Sequence, residues 1–290
     1  MIKQRLAALC LIATLLAGSG MAQDKLYTNE FPLGDVKLLD GPFKKAQDLN
    51  ISVLLKYTVD RLLYPYRLAA GLPTQGATNY TNWSCTAADQ SFCIDGHVGG
   101  HYLTALAIQY AATSNAQCKE RLDNMITELK KCQDANGTDP DFVGYLCGMY
   151  DGKAMWRSFK AGNFATAGKN VVPWYNIHKT YAGLRDVWVY TGNETAKTMF
   201  LKLCDWGMNI CSGLSDAQMQ NMLGTEHGGI DEMYADAYQM TNETKYLTFA
   251  KKFAHKWLYD GMLAGNLTLL DEKHANTQVP KVVGFQRIGE

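Results

Sequence analysis

Histidine is the residue type in this 290-residue chain whose placement asks for a chemical reason. Four of the six recur in similar settings: His101, His178, His227 and His274. His178 and His227 lie 49 residues apart, and His227 and His274 lie 47 apart. His101 precedes Asn115 by 14 residues, while His178 precedes Asn193, and His227 precedes Asn242, by 15. After each of these three come an apolar stretch, an Asn-bearing turn and an amphipathic stretch. Neutral imidazole both donates and accepts hydrogen bonds, which suits sugar hydroxyls. A single histidine at a helix start is ordinarily a cap or a satisfied interior group. Four at one phase of a repeat predict a shared site. His97 stands at i, i+4 from His101, on the same helical face. A metal pair uses that spacing, but Val98-Gly99-Gly100 lies between them, without the glutamate of a zinc-protease helix, so the pair reads as pocket lining or packing. Trp174, four residues before His178, supplies a flat ring able to stack on a sugar.

Carboxylates gather around the third histidine: Glu226, Asp231, Glu232 and Asp236. Glycoside hydrolysis needs a carboxylate pair. Here the spacing assures none, because Glu232 and Asp236 at i, i+4 equally describe one helix face. No Gly-x-Ser-x-Gly elbow, P-loop or dinucleotide fingerprint occurs. Lys+Arg and Asp+Glu balance at 28 each, so there is no basic field to hold nucleic acid.

These side chains need elements to hold them. The apolar spacing predicts helices over residues 43–63, 96–113, 116–133, 153–160, 173–191, 195–210, 228–240, 245–259 and 274–287. Tyr64-Pro65-Tyr66-Arg67 is read as the break after the first, and 71–96 as a long polar loop containing Trp83. Apolar helices alternate with amphipathic ones. That alternation predicts αα-hairpins stacked into a solenoid or a closed toroid, apolar helices inside. In a toroid the inner helices run one way, so their histidine-bearing starts converge on one rim. Helix N-termini there favour neutral imidazole.

Residues 1–22 read as a secretory signal peptide: Lys3 and Arg5, an apolar run over 6–17, then Gly20-Met21-Ala22. The mature chain, 23–290, is expected to be periplasmic or extracellular, with no membrane insertion after cleavage. Seven cysteines remain, an odd number, and none forms a Cys-x-x-Cys. Cys85 and Cys93 share a loop in which a bridge is feasible; the others read as small buried residues.

Five motifs then occur in order: Val36-Lys37-Leu38-Leu39-Asp40-Gly41-Pro42-Phe43; Asp60-Arg61-Leu62-Leu63; Gly96-His97 with Gly100-His101-Tyr102-Leu103; Val172-Pro173-Trp174-Tyr175-Asn176-Ile177-His178-Lys179; and His274-Ala275-Asn276-Thr277-Gln278-Val279-Pro280-Lys281. Together they resemble the β-L-arabinofuranosidase family of glycoside hydrolases, families 127 and 146. The resemblance implies an all-α, (α/α)6-barrel (toroid), incomplete in this chain. It implies that His178, His227 and His274 hold arabinofuranose hydroxyls, within an L-arabinofuranose-containing carbohydrate. It also implies a retaining mechanism with a zinc-bound cysteine nucleophile and a glutamate acid/base. Those groups have no counterpart up to residue 290, so no catalytic or metal residue is expected within the chain. The zinc of the full-length family enzyme is then not bound, and the 290 residues alone are expected to be inactive. Two alternatives stand beside this reading: a non-catalytic glycan-binding α/α protein, and another α/α-toroid sugar enzyme, an epimerase or an unsaturated-glycan hydrolase, using His178 and Glu226.

Overall fold

A computed structural model describes residues 31–80, 93–165 and 172–290. The expected leader over 1–22, Trp83 and Cys85 fall outside these residues. The regular elements of the described residues are all helical, with no strand. In chain order the helices are α1 (Pro42–Leu54), α2 (Val59–Ala69), α3 (His97–Thr113), α4 (Ala116–Asn136), α5 (Gly152–Lys160), α6 (Pro173–Thr191), α7 (Glu194–Cys211), α8 (Asp216–Met222), α9 (Ile230–Thr241), α10 (Thr244–Phe253), α11 (Lys256–Leu263) and α12 (Ala275–Gly289). None is long and apolar enough to cross a membrane.

The helix over Asp216–Met222 was not expected, and two of the expected helices are divided. Residues 43–63 are two helices, divided before Thr58, and Pro65 lies inside α2 rather than ending it. Proline forfeits one intrahelical bond there, but Leu62, Leu63 and Tyr66 on the same helix are buried in the core and hold it. Residues 245–259 are also two helices, broken at Ala254, whose backbone is extended.

The helices form hairpins with one recurring turn. Thr113, Thr191 and Thr241 each end the first helix, and each donates its hydroxyl to the carbonyl four residues back, at 2.5, 2.6 and 2.8 Å. The next residue, Ser114, Gly192 or Asn242, caps the helix in the left-handed region. The following residue starts the second helix. Asn115 and Asn193 do so by accepting the N–H of Cys118 and Ala196, which satisfies an orphan donor. Glu243 holds the third such position without a side-chain cap. Asn193 and Asn242 therefore occupy adjacent, not equivalent, places, and the repeat spacing there is 50, from Thr191 to Thr241.

α3, α6, α9 and α12 pack side by side and run parallel. A Cβ at Gly100 would lie 2.1 Å from the Lys179 carbonyl, and one at Gly183 2.6 Å from the Gly100 carbonyl. Glycine alone permits that α3–α6 approach. α4, α7 and α10 form the second layer. Tyr181 of α6 and Tyr234 of α9 donate to the adjacent Leu203 and Cys204 carbonyls of α7, both at 2.8 Å. Gly207 makes room for the two hydroxyls: a Cβ there would meet them at 2.7 and 2.4 Å. Gln133 of α4 donates to the Gly144 and Met199 carbonyls, tying α4 to α7. The core between the layers is rich in rings, with Trp156, Trp174 and Trp206 in mutual contact and Phe253 against Trp174. Cys118, Cys132, Cys147, Cys204 and Cys211 are free and buried, as expected of small apolar residues, and Cys93 is disulfide-bonded.

Candidate functional site

The parallel layer brings most of the predicted histidines to one end of the hairpins. His97 opens α3 and His101 lies one turn on, with ring centroids 5.7 Å apart. His178 sits in the second turn of α6 rather than at its start. His227 lies in the segment before α9, 5.9 Å from His255, the N-cap of α11. His274 is the exposed N-cap of α12. Two residues on, Asn276 donates to Glu226 at 2.8 Å, which places the start of α12 beside His227. The rings are not equally phased: His101, His178 and His227 stand 12, 13 and 14 residues before their turn threonines. His101 and His178 are both helical, so their one-residue step turns the side chain by about 100°, and His227 lies before its helix altogether. The cluster is a winding row instead of a ring of equivalent groups.

Burial favours the neutral ring at His97, His101, His178, His227 and His255. His97 has its pKa pushed down to about 4, by burial first and then by His101. His227, fully buried, is pushed down to about 3, by burial and then by the charge of Lys281. His255 is lowered to about 4 by the same two causes. His178 lies well below the usual imidazole range, through burial, then Lys179, Arg185, His101 and His227. His97 and His227 point Nδ1 at backbone carbonyls, of Ile94 at 3.0 Å and Thr225 at 3.1 Å. Nδ1 of His178 faces Lys179 Nζ at 3.2 Å, and its buried Nε2 has no hydrogen-bond partner in the protein.

Beneath the row runs a ladder of buried charge. Thr104 donates to Asp186 at 2.7 Å, and Arg185 donates to Asp186 at 2.8 Å. Arg185 also reaches Glu232 at 2.9 Å and Asp236 at 2.6 Å. Asp236, with no exposure, accepts from Arg287 as well, at 2.7 Å, and Arg287 pairs with Glu290. The ladder spans α3, α6, α9 and α12. Glu232 and Asp236 thus do share one face of α9, and that face is turned inward and ion-paired. Burial raises the pKa of Asp186, Glu232 and Asp231; for Glu232, Arg185 opposes it. Lys281 of α12, 2 % exposed, donates to His255 at 3.0 Å and Gln278 at 3.1 Å, and its pKa is lowered to about 8 by burial.

Residues 35–290 match the family model of the β-L-arabinofuranosidase GH127 catalytic domain. The chain belongs to this family. No curated protein matches it. GH127 proteins are glycoside hydrolases, so the substrate of this GH127 domain is a carbohydrate.

The GH127 chain corrects one of the sequence-based site residues. Trp174 is buried among Trp156, Trp206 and Phe253, and its Nε1 donates to Met222 Sδ at 3.2 Å. It has no ring face for a sugar and acts as core. The zinc implied by family resemblance has no fitting donor set among the described residues. Among the described residues no group of three or more His, Cys, Asp or Glu could hold a metal ion. Burial raises the thiol pKa of all five free cysteines, to about 12 for Cys132, Cys147 and Cys211. No step is therefore assigned to zinc or thiolate. Sequence reasoning passed over Lys179, Arg185, His255 and Lys281. Charged residues within apolar helices were the signal that could have found them, because a buried charge needs a partner.

Proposed function

We propose that this GH127 domain binds β-linked L-arabinofuranose of plant-type glycans at the histidine row, in an exported glycosidase that releases the pentose with retention. The observation that carries the binding site is His178. Its ring is buried and neutral, at the end where four parallel helices start, and Nε2 lacks a protein partner. An imidazole nitrogen held dry and unpaired costs free energy unless a ligand completes it. His101, exposed on the rim, and Asn276, exposed beside Glu226, supply further hydrogen-bonding groups around the same mouth. Neutral polyols fit a site whose imidazoles are uncharged.

Hydrolysis itself is not assigned to any described residue, since the thiols are buried and no metal donor set is assembled. A second reading, a glycan-binding domain without turnover, rests on the same buried, unpartnered His178 Nε2. Titrating L-arabinose into the wild-type chain and into His178→Ala tests the site. Loss of binding in a folded variant supports the assignment, and unchanged affinity removes it.

A further inference from the structure

His178 and Glu232 face one small space, and the residues behind them decide what each offers to it. A Cβ built on Gly229 would lie 3.2 Å from Glu232 Oε2 and 3.3 Å from His178 Nε2. The two polar atoms therefore face the same point, the one that a Cβ on Gly229 would occupy and press on both. Gly228, with φ of +61°, lies against the other edge of the ring, where a Cβ would be 2.7 Å from Nδ1.

We propose that Lys179 fixes His178 as the Nε2–H tautomer, and that this N–H and Glu232 Oε2 form a donor–acceptor clamp for two neighbouring hydroxyls of the sugar. The inference rests on the binding reading above and assigns the groups that give it direction. An ammonium group is a donor with no acceptor. With Lys179 Nζ 3.2 Å from Nδ1, Nδ1 must accept. A neutral ring then carries its proton on Nε2, the nitrogen without a protein partner. Burial lowers the pKa of Lys179, the carboxylates of Glu226 and Glu232 oppose that shift, and its Nζ lies 4.3 Å from the Tyr175 ring centroid. Arg185 Nη1 binds Glu232 Oε1 at 2.9 Å, turning Oε2 towards the gap. A sugar hydroxyl is both donor and acceptor. One hydroxyl accepts from Nε2–H and its neighbour donates to Oε2. Lys179 and Arg185 are positioning residues; His178 and Glu232 touch the ligand.

Long-range ¹H–¹⁵N correlation spectra of the labelled full chain read the tautomer without sugar, with the His178 signals identified by their loss in His178→Gln. The Nε2–H pattern is expected in wild type and in Lys179→Arg, which keeps a donor, and its loss or mixing in Lys179→Met. An Nδ1–H pattern in wild type overturns the Lys179 assignment. The clamp is tested by the affinities of methyl β-L-arabinofuranoside and its 2-deoxy and 3-deoxy analogues. In Glu232→Gln, Arg185 draws the amide oxygen, so the gap receives an N–H₂ donor in place of an acceptor. Glu232→Gln is expected to bind the parent glycoside roughly tenfold to a hundredfold more weakly. One deoxy analogue, already lacking the clamped hydroxyl, should lose little. Gly229→Ala, which fills the gap, is expected to weaken the parent glycoside similarly. Equal losses for all three glycosides in Glu232→Gln, or normal binding by Gly229→Ala, overturn the clamp. If wild type binds no arabinoside while the Nε2–H pattern is present, the sugar reading and the clamp fall and the tautomer assignment stands.

Discussion

The buried His227 should make stability pH-dependent in a way that one substitution isolates. Its folded pKa is about 3, against an ordinary value of 6.5. Above pH 6.5 both folded and unfolded states hold the neutral ring, and the shift has no effect. Below it the unfolded chain takes up a proton that the folded one refuses, so stability is lost as pH falls, until about pH 3. The slope is about 1.4 kcal/mol per pH unit. Between pH 7 and pH 5 the loss from this group is about 2 kcal/mol. His227→Gln removes the titration. The variant also loses ring packing against Phe253 and His255, so it starts less stable at pH 7. Its deficit is then expected to shrink by about 2 kcal/mol on going to pH 5. The low pKa values of His97 and His255 and the raised ones of Asp186 and Glu232 are common to both proteins, so they largely cancel in the difference. Urea unfolding at pH 7, 6 and 5, with m unchanged between the proteins, measures it. A deficit that stays constant over this range, or grows, would refute the burial argument for His227.

Asp236→Ala leaves the guanidinium groups of Arg185 and Arg287 without their shared carboxylate, and should cost about 3–5 kcal/mol, seen as a lower urea midpoint. Trp174→Ala should cost about 3–5 kcal/mol and reduce near-ultraviolet dichroism, because the ring is core. Gly100→Ala forces α3 away from the Lys179 carbonyl; a loss of about 1–3 kcal/mol is expected, together with weaker arabinose binding, since Lys179 and His178 move. The purified 290-residue chain should release no arabinose from an aryl β-L-arabinofuranoside, with or without added zinc, and measurable zinc-dependent release would refute the thiol and metal argument.

The hairpin plan was legible because its signals are local. Apolar and amphipathic stretches alternate, and Thr113-Ser114-Asn115 and Thr191-Gly192-Asn193 each punctuate a pair. The phase of the histidines was not legible. Counting from asparagine equated Asn193 with Asn242, yet one is an N-cap and the other a left-handed C-cap. That single-residue slip hid the stagger between His178 and His227. Trp174 read as a sugar platform because sequence shows a ring but not what covers it; Trp156 and Trp206 do, from 18 residues before and 32 after. Arg185 and Lys281 were silent for a related reason: a charge on an apolar helix has meaning only once Asp236 or His255 faces it from another helix.

The charge ladder sets how the hairpins come together. Hydrocarbon faces tolerate partial docking, so a stack of repeats joined by them alone can fray one unit at a time. Here Asp236 answers arginines from both flanking helices, so withdrawing either neighbour strands a charge in the interior. The inner layer should therefore fold and melt as one cooperative block, and a hairpin grafted from elsewhere would have to bring its own half of each ion pair to be accepted.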